Sequence, residues 1–469
     1  MTNGKPPELV RALGAWSSAA IVVGTMIGTG IFLKPAEMAA DAGSVSVVFA
    51  AWIVGGVLSL FGALAYAELG AALPEAGGAY IYLRRGLGSV WGYLFGWMHS
   101  IVGRPASMAS IAAGLLRFCG FLIPAVARPI FTWQISLPFS HSPYLFVFTG
   151  AQPLAVVALA AISFINYLGV RLAGRVQVIL TIIKVFSVVG IIILGFTFAR
   201  PGGAGFQPLF PSGLGAATLT GFFGALAASL WVYDGWEDLG DVGEEVENPQ
   251  RNIPRALILG VLFCCGVFIL FSAVCHWVLP YDAVAKSEHV ASDVVGSFAG
   301  QSAAIWVTLA MAISAVGTLN SSTLSGARVP YAMARDGLFF RNTAGIHPKF
   351  RTPAGALGFE FVLASAFALT GSFEELTSLF IFAAWIFYGL AVVAMLRMRR
   401  TQPDLPRAYR CWGYPWVPVT FLLGAAALTI SLWMARPIRS SIGLVLILSG
   451  LLFYSNWQRK LSSASEKPL

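Results

Sequence analysis

At the centre of the first long apolar run stands Gly24-Thr25-Met26-Ile27-Gly28-Thr29-Gly30. Three glycines within seven residues weaken a helix, yet the run 15–38 is long enough to cross a membrane. Non-helical backbone at membrane depth is tolerated only where it is buried in protein or lines a cavity. The stretch therefore predicts a broken transmembrane helix, with close helix–helix packing as the alternative use of its glycines.

A second break is predicted in the sixth apolar run, 216–243. That run contains Trp231-Val232-Tyr233-Asp234-Gly235-Trp236-Glu237-Asp238. The acids and the glycine could not stand on a helix that faces lipid. Because helices broken at corresponding positions of two halves indicate a transporter binding site, the pair favours a binding site over simple close packing.

The composition is that of a membrane protein. Of 469 residues, 57% are hydrophobic and 11% charged, and the mean hydropathy is +0.76, whereas a soluble domain carries about 25% charged residues. The apolar runs are continuous rather than alternating, which excludes a barrel and predicts an all-α, polytopic membrane protein with 12 transmembrane helices. The predicted spans are 15–38, 44–72, 88–119, 152–170, 174–199, 216–243, 255–279, 302–334, 353–371, 375–398, 415–434 and 440–457.

Membrane topology accounts for the net charge of +9. With the N-terminus inside, 20 lysines and arginines fall in predicted cytoplasmic segments and 7 on the opposite face, the asymmetry that sets orientation. We expect a multi-pass protein of the cell inner membrane, with cytoplasmic N- and C-termini and no nucleic-acid partner. The five cysteines lack the spacing of metal ligands, and neither a metal nor a cofactor is predicted.

A broken helix offers bare peptide groups to both ends of a zwitterion. Free N–H groups at the start of its second half attract a carboxylate, and free C=O groups at the end of its first half attract an ammonium. We expect the carboxylate at the N–H groups of Thr29 and Gly30, and the ammonium at the carbonyls near Met26 and Ile27.

The break in the sixth span would complete this site. The carbonyls of Trp231 and Asp234 would share the ammonium, and the Trp231 ring would cover the occupied site unless it faces lipid or the interface. The predicted substrate-binding residues are Met26, Ile27, Gly28, Thr29, Gly30, Trp231, Val232, Asp234 and Gly235.

These stretches resemble a known family. Residues 24–32 are similar to the first-helix signature of the amino acid–polyamine–organocation superfamily, and further motifs resemble its L-type amino acid transporter family, as a prokaryotic member. The motifs that carry this resemblance are Glu68-Leu69-Gly70, Pro74-Glu75-Ala76-Gly77-Gly78-Ala79-Tyr80, Arg104-Pro105-Ala106-Ser107, residues 233–254, Leu319-Asn320-Ser321-Ser322, Ala334-Arg335-Asp336-Gly337 and His347-Pro348.

The resemblance implies a 5+5 inverted repeat, the LeuT-like fold, in one membrane transport domain over 1–469. The first repeat would be 15–199, the inverted second repeat 216–398, and two additional helices would occupy 415–457. It also implies sodium-independent exchange of neutral amino acids. Eukaryotic members pair with a heavy-chain glycoprotein through a cysteine in the loop after the third helix. Since 120–151 contains no cysteine, no heavy-chain subunit is expected.

Lys184 lies near the middle of the fifth span, where an unpaired charge is costly. The resemblance implies that its ammonium occupies the place where related sodium-coupled transporters hold a sodium ion. The expected partners are the carbonyl of Gly24 and the hydroxyl of Ser321 or Ser322. The alternative is a lysine that snorkels to the membrane surface.

Other charges near the breaks have several interpretations. Arg104 either pairs with an acid or a carbonyl, which we favour, or contacts substrate. Asp234 selects a cationic side chain, relays a proton or caps the broken helix, the role slightly favoured. Glu237 departs from the family, because many members have asparagine or another neutral residue there.

A gate is predicted from the remaining charges and the covering tryptophan. Opposite charges at the cytoplasmic ends of the sixth and eighth helices could hold an inner gate, although solvated loop charges would have the same sequence. The predicted gate residues are Trp231, Glu237, Glu244, Glu245 and Arg335.

The leading interpretation is an amino acid antiporter that works by alternating access. The alternatives are a proton-coupled symporter that titrates Glu237 or Asp234, and an exchanger that also accepts cationic amino acids. A transporter-like sensor would need a large cytoplasmic output domain, and a channel would need a filter. An enzyme is disfavoured because the histidines are scattered and no nucleophile, base and orienting group recur together.

Overall fold

The computed structural model describes residues 7–135, 144–199, 206–213, 215–370 and 373–465. The α-helices are α1 Ala15–Met26, α2 Gly30–Ala42, α3 Val45–Ala72, α4 Ala79–Gly86, α5 Ser89–Met98, α6 Arg104–Leu122, α7 Pro124–Ala127, α8 Ala151–Tyr167, α9 Val170–Phe198, α10 Ala216–Val232, α11 Asp238–Asp241, α12 Pro249–Val278, α13 Tyr281–Lys286, α14 Val290–Ala299, α15 Gln301–Gly326, α16 Arg328–Arg335, α17 Ala354–Thr370, α18 Phe373–Thr401, α19 Trp416–Ala435 and α20 Pro437–Ser465. A π-helix, His99–Gly103, joins α5 to α6, and two 3₁₀ turns are Gly243–Glu245 and Arg341–Ala344.

Every predicted span coincides with one helix or with consecutive helices. The first span is α1 with α2, the third is α5 with the π-helix and α6, and the sixth is α10 with α11. Within the described ranges, eight segments are long and apolar enough to cross a membrane, and α8, α10, α14 and α17 are shorter apolar helices. The predicted polytopic helical fold is confirmed, whereas the number of 12 crossings stays a prediction.

The predicted break in the first span is present. Helix α1 ends at Met26, and Ile27 leaves the helical region with ψ 73° before α2 begins at Gly30. The N–H groups that open α2 have no partner within that helix. The two halves of the span therefore present bare peptide groups to each other at the centre of the protein.

The sixth span is also broken, and its break faces the first. Helix α10 ends at Val232 and α11 begins at Asp238. Between them Gly235 adopts φ +101°, which favours glycine. A Cβ atom at Gly235 would clash with the side chain of Thr25 in α1. The absence of a side chain at Gly235 thus lets the two breaks touch.

One connection adds β-structure to the helical fold. Strands β1 Pro129–Ile135 and β2 Tyr144–Thr149 pair in antiparallel register between α7 and α8. Their aromatic and β-branched residues favour extended backbone. Neither strand is as long as a membrane span, so the apolar pattern of the sequence predicted only a connection here.

Ion pairs close the end of the helix bundle that is predicted to be cytoplasmic. The Nε and Nη2 atoms of Arg328 donate to the two carboxylate oxygens of Glu245 at 2.7 and 3.0 Å, and both side chains are fully buried. The carbonyl of Glu245 accepts the N–H groups of Ala12 and Leu13, each at 2.9 Å. The N-terminal segment is therefore tied to the loop that follows α11.

A second, more exposed layer of charge surrounds this buried pair. Arg335 contacts Glu244 at 3.0 Å, while Arg84 pairs with Asp336. The hydroxyl of Tyr80 donates to Asp336 at 2.6 Å. Burial, and then the Asp336 carboxylate, raise the pKa of Tyr80 above its ordinary value, so this phenol remains a donor at neutral pH.

Replacing Glu245 by glutamine should destabilise the protein strongly, because Arg328 would become a buried charge without a carboxylate. Breaking one side of a buried pair costs about 3–5 kcal/mol. The matched change Glu244→Gln removes the partner of Arg335, whose side chain is 40% exposed, and should cost about 0–1 kcal/mol. Thermal unfolding of both variants in detergent tests the difference, and equal melting temperatures would contradict it.

Candidate functional site

A cavity of about 1590 Å³ opens at the end of the bundle opposite the ion pairs and reaches the breaks. Its floor includes Thr29 and Trp231, and its walls come from α2, α6, α10 and the turn between α19 and α20. Charged side chains in its lining are Lys34, Glu37, Asp41, Arg117, Glu288, Arg436 and Arg439. With one end sealed and the other open, the breaks are accessible from one side of the protein.

Trp231 separates the cavity from the first break. A Cβ atom at Gly30 would lie 2.7 Å from ring carbon Cζ3 of Trp231, so the indole rests directly on the backbone of Gly30. The Nζ atom of Lys34 lies 5.0 Å from the indole centroid, in cation–π geometry, and pairs with Glu37. The ring is therefore placed as the predicted cover and does not face lipid.

The protein itself occupies some of the peptide groups assigned to substrate. The carbonyl of Ile27 accepts the hydroxyl of Ser314 at 3.1 Å, and the carbonyl of Met26 accepts the N–H of Gly28 at 2.9 Å. The carbonyl of Trp231 is 3.4 Å from the Asp234 nitrogen. Because a carbonyl has two lone pairs, each can still accept a ligand hydrogen. Their roles in substrate binding stay predictions.

The remaining predicted substrate-binding residues lie around these carbonyls. Thr29 lines the cavity floor, and Gly28, Gly30, Val232 and Gly235 are buried beneath it. The side chain of Asp234 is partly accessible. The structure thus brings residues of the two breaks into one place, although 200 residues separate them in the chain.

Lys184 is fully buried and joins the fifth, first and eighth spans. Its Nζ atom donates to the Gly24 carbonyl at 2.7 Å and contacts Oγ1 of Thr318 at 3.2 Å. The expected Gly24 contact is present, but the hydroxyl partner is Thr318 and not Ser321 or Ser322. Residues three and four apart lie on the same face of a helix. The predicted partners Ser321 and Ser322 were therefore on the correct face of α15, but one turn beyond Thr318.

The two predicted serine partners serve other contacts. The hydroxyl of Ser321 bonds that of Thr25 at 2.5 Å, which ties α15 to α1. Ser322 is buried. Lys184 therefore does not snorkel: it holds α1, α9 and α15 together beneath the first break.

Arg104 binds acids of the sixth span. It forms a two-pronged pair with Asp238 and lies 3.8 Å from Asp241, and the Nε2 atom of His99 is 3.3 Å from its Nε atom. The favoured structural role is supported by this geometry. The π-helix that precedes Arg104 places His99 beside the guanidinium. Short π-helical segments within α-helices are frequent at functional sites.

The two acids of the second break share two partners. Glu237 accepts the N–H of Gly235 at 3.1 Å, and the Asp234 carboxyl group also interacts with this backbone N–H. The hydroxyl of Tyr388 in α18 contacts both Asp234 and Glu237, at 3.0 and 2.6 Å. The capping role favoured for Asp234 is therefore shared with Glu237.

The predicted gate residues fall in three separate places. Trp231 covers the first break, Glu237 lies within the second, and only Glu244, Glu245 and Arg335 belong to the sealed end. There Glu245 pairs with Arg328 rather than with Arg335, whose partner is Glu244.

Three partner residues were not predicted from the sequence: Thr318, Arg328 and Tyr388. Arg328 carried a usable signal, because it is a charge inside a predicted span. Thr318 was one turn from the residues chosen. The sequence around Tyr388 gave no signal of its role, since a tyrosine in an apolar helix usually packs in the core or lies at the membrane interface.

The family model described as amino acid permease matches residues 13–454. The chain belongs to the amino acid permease family. This membership confirms the resemblance to the amino acid–polyamine–organocation superfamily, and a permease is a membrane transport protein. The broken helices are thus features of a multi-pass permease.

Characterised relatives of this permease cover nearly its whole length. The b(0,+)-type amino acid transporter 1 of Mus musculus is 33% identical over 97% of this chain and 89% of its own. The serine/threonine exchanger SteT of Bacillus subtilis is 29% identical over 97% of this chain and 98% of its own. The branched-chain amino acid permease BcaP of the same bacterium is 29% identical over 99% and 96%.

Substituting Gly30 by alanine should impair transport by the permease. The added methyl group would meet the Trp231 ring at 2.7 Å, and overpacking of this kind costs about 1–3 kcal/mol, on the order of tenfold or more in affinity. The control is Gly266→Ala in α12, where a Cβ atom meets nothing within 4 Å. Uptake of labelled alanine into proteoliposomes measures both, and equal uptake by the two variants would contradict the packing role.

Lys184→Met should abolish or uncouple exchange while the protein is still produced and inserted. Methionine fills much of the lysine volume but leaves the Gly24 carbonyl and Thr318 hydroxyl without their cation. Lys286→Met, at an exposed position of α13, is the matched control. Exchange rates of Lys184→Met equal to those of the control would count against the role of this lysine.

Proposed function

We propose that this permease is a sodium-independent exchanger of neutral amino acids that works by alternating access. The observation that carries the proposal is the pair of facing breaks, sealed from one end by buried ion pairs and open to a cavity at the other. A site of this kind binds one small zwitterion at a time. Two of its relatives bear the names of an exchanger and of an amino acid permease.

The lysine beneath the first break supports sodium independence. A carbonyl and a hydroxyl converge on Nζ of Lys184, and both are oxygen ligands of the kind that a hard cation takes. A fixed ammonium supplies the positive charge at that point in every step of transport. No sodium ion is then needed to join α1 to α15.

Topology and assembly are further parts of the proposal. The excess of lysine and arginine at the sealed end supports cytoplasmic N- and C-termini in a cell inner membrane. The chain would act without a heavy-chain subunit, because the connection 120–151 offers no cysteine for one. The repeats are proposed as 15–199 and 216–398, with 415–457 as additional helices, since the breaks fall in the first span of each repeat.

A second candidate is an exchanger that also accepts cationic amino acids. It is favoured by the carboxyl groups of Asp234 and Glu237, which are partly accessible at the second break. A carboxylate there would attract the side chain of a bound lysine. A competition panel of alanine, leucine and lysine against labelled alanine separates the two candidates, since only the second predicts inhibition by lysine.

The decisive experiment is counterflow in proteoliposomes. Uptake of labelled alanine should require alanine inside, and should be unchanged when choline replaces sodium on both sides. An imposed pH gradient should drive no uptake into vesicles that lack internal amino acid. Uptake into such empty vesicles, driven by the pH gradient alone, would replace exchange by proton-coupled symport.

A further inference from the structure

A carboxyl group within the ninth predicted span is buried without a partner. Glu360 lies near the middle of α17, and its side chain is 1% exposed. Neither of its carboxyl oxygens has a hydrogen-bond partner among the residues that the structure describes. A buried polar atom without a partner calls for an explanation, and an ionisable side chain at membrane depth indicates a function.

The nearest cation to Glu360 is already engaged by other acids. Among the described side chains, the charges that act on Glu360 are those of Arg104 in α6 and Asp241 in α11. Arg104 forms its two-pronged pair with Asp238 and lies 3.8 Å from Asp241. Ionisation of Glu360 would therefore place a negative charge without a partner in the protein interior, which is very costly.

The other ionisable side chains on elements that pack against α17 are held elsewhere. The elements in contact with α17 include α8, α15, α16 and the 3₁₀ turn Arg341–Ala344. Tyr167 is at the end of α8, and α15 has no ionisable residue. Arg328 and Arg335 of α16 pair with the glutamates of the sealed end, and Arg341 is exposed. Arg104 is thus the cation that Glu360 could acquire.

Arg104 is packed on the same part of the bundle as Glu360. A Cβ atom at Gly326 of α15 would collide with the aliphatic stem of Arg104, and α6 also packs against α17. In contrast, α11 runs directly into the 3₁₀ turn that carries Glu245, whose partner Arg328 follows α15. Separating Glu245 from Arg328 to open the sealed end would therefore draw α11 away from Arg104.

A guanidinium that loses the acids of α11 needs another carboxylate. Arg104 is buried, and arginine does not give up its proton in proteins. Without Asp238 and Asp241 it would be a buried charge without a partner, which is strongly unfavourable. An ionised Glu360 would supply the missing negative charge from within the same part of the bundle.

We propose that Glu360 is a proton-binding site that gives up its proton and pairs with Arg104 when the sealed end opens. The inference rests on the proposed alternating access and deepens it. With this end sealed, Glu360 is neutral and Arg104 is held by Asp238. With it open, Glu360 is ionised and holds Arg104. The proton leaves to the water admitted at this end and returns from the same side on closing, so no proton crosses the membrane.

Opening of the sealed end is then linked to pH. Because opening releases one proton, its equilibrium constant rises with pH, by up to about tenfold for each unit. Acid keeps this end sealed, and a rise in pH favours its opening. Since every exchange cycle includes this opening, the exchange rate should rise with pH.

The test is alanine-for-alanine exchange by the full-length protein in proteoliposomes, with the same pH on both sides. Between about pH 5 and about pH 7 alanine stays a zwitterion, so the charge of the substrate does not change. Wild-type exchange should rise across this range, by up to about tenfold for each unit. A wild-type rate that does not depend on pH would overturn the proposal and leave the proposed exchange function intact.

Glu360→Gln keeps the size of the neutral side chain but cannot ionise. Its exchange rate should be independent of pH and no higher than the wild-type rate at the acid end of the range. Glu360→Asp, which can still ionise, should keep the rise. The control Asp282→Asn removes a carboxylate at an exposed position of α13 and should keep the wild-type profile. A wild-type profile in Glu360→Gln would overturn the proposal.

Thermal unfolding in detergent at acid pH separates this role from a structural one. Glu360→Gln should melt close to the wild-type temperature, because the group that it replaces is neutral and unpaired. Asp238→Asn, which breaks the pair with Arg104, should melt at a clearly lower temperature. An equal loss in both variants would mean that Glu360 already pairs with Arg104, and would overturn the proposal. Absence of alanine exchange by the wild type at every pH would overturn the proposed function itself.

Discussion

Peptide groups without partners at membrane depth are the constraint on which the rest of this structure depends. In hydrocarbon each such group is costly, so the breaks can exist only where other residues meet them. Lys184 and Thr318 meet the carbonyl of Gly24, and Ser314 meets that of Ile27. Glu237 accepts the N–H of Gly235. The N–H groups that open α2 are the ones that we propose for the carboxylate of a substrate.

Glycine positions decide how closely the breaks approach. At Gly235 a side chain would collide with Thr25, and at Gly30 it would collide with the Trp231 ring. Both contacts join the first span to the sixth at the level of the breaks. Gly30 and Gly235 therefore weaken their own helices and also let the two breaks pack against each other. Local flexibility and tertiary packing agree at these positions, as a sequence that specifies one structure requires.

Sequence was informative where a single segment carried the signal. The glycines of 24–30 and the acids of 231–238 predicted both breaks, and the depth of Lys184 predicted a buried role. The partners were harder, because a partner depends on how a distant helix is rotated about its own axis. The rotation of α15 and its position along its axis decide that Lys184 meets Thr318 and not Ser321, which lies one turn further along. The rotation of α18 likewise decides that Tyr388 meets the acids of the second break. Strands β1 and β2 were not predicted, because short strands have no apolar run as long as a membrane span.

The sealed end combines contacts of very different strength, which bears on how the proposed alternation could proceed. Exposed pairs such as Glu244–Arg335 are worth little and exchange readily for water. The Glu245–Arg328 pair is fully buried, and separating it without water would strand two charges in a low-dielectric interior. Opening at this end must therefore admit water to the buried pair as it parts. The outer pairs can loosen independently, whereas separating Glu245 from Arg328 adds to the free energy that a bound substrate has to overcome.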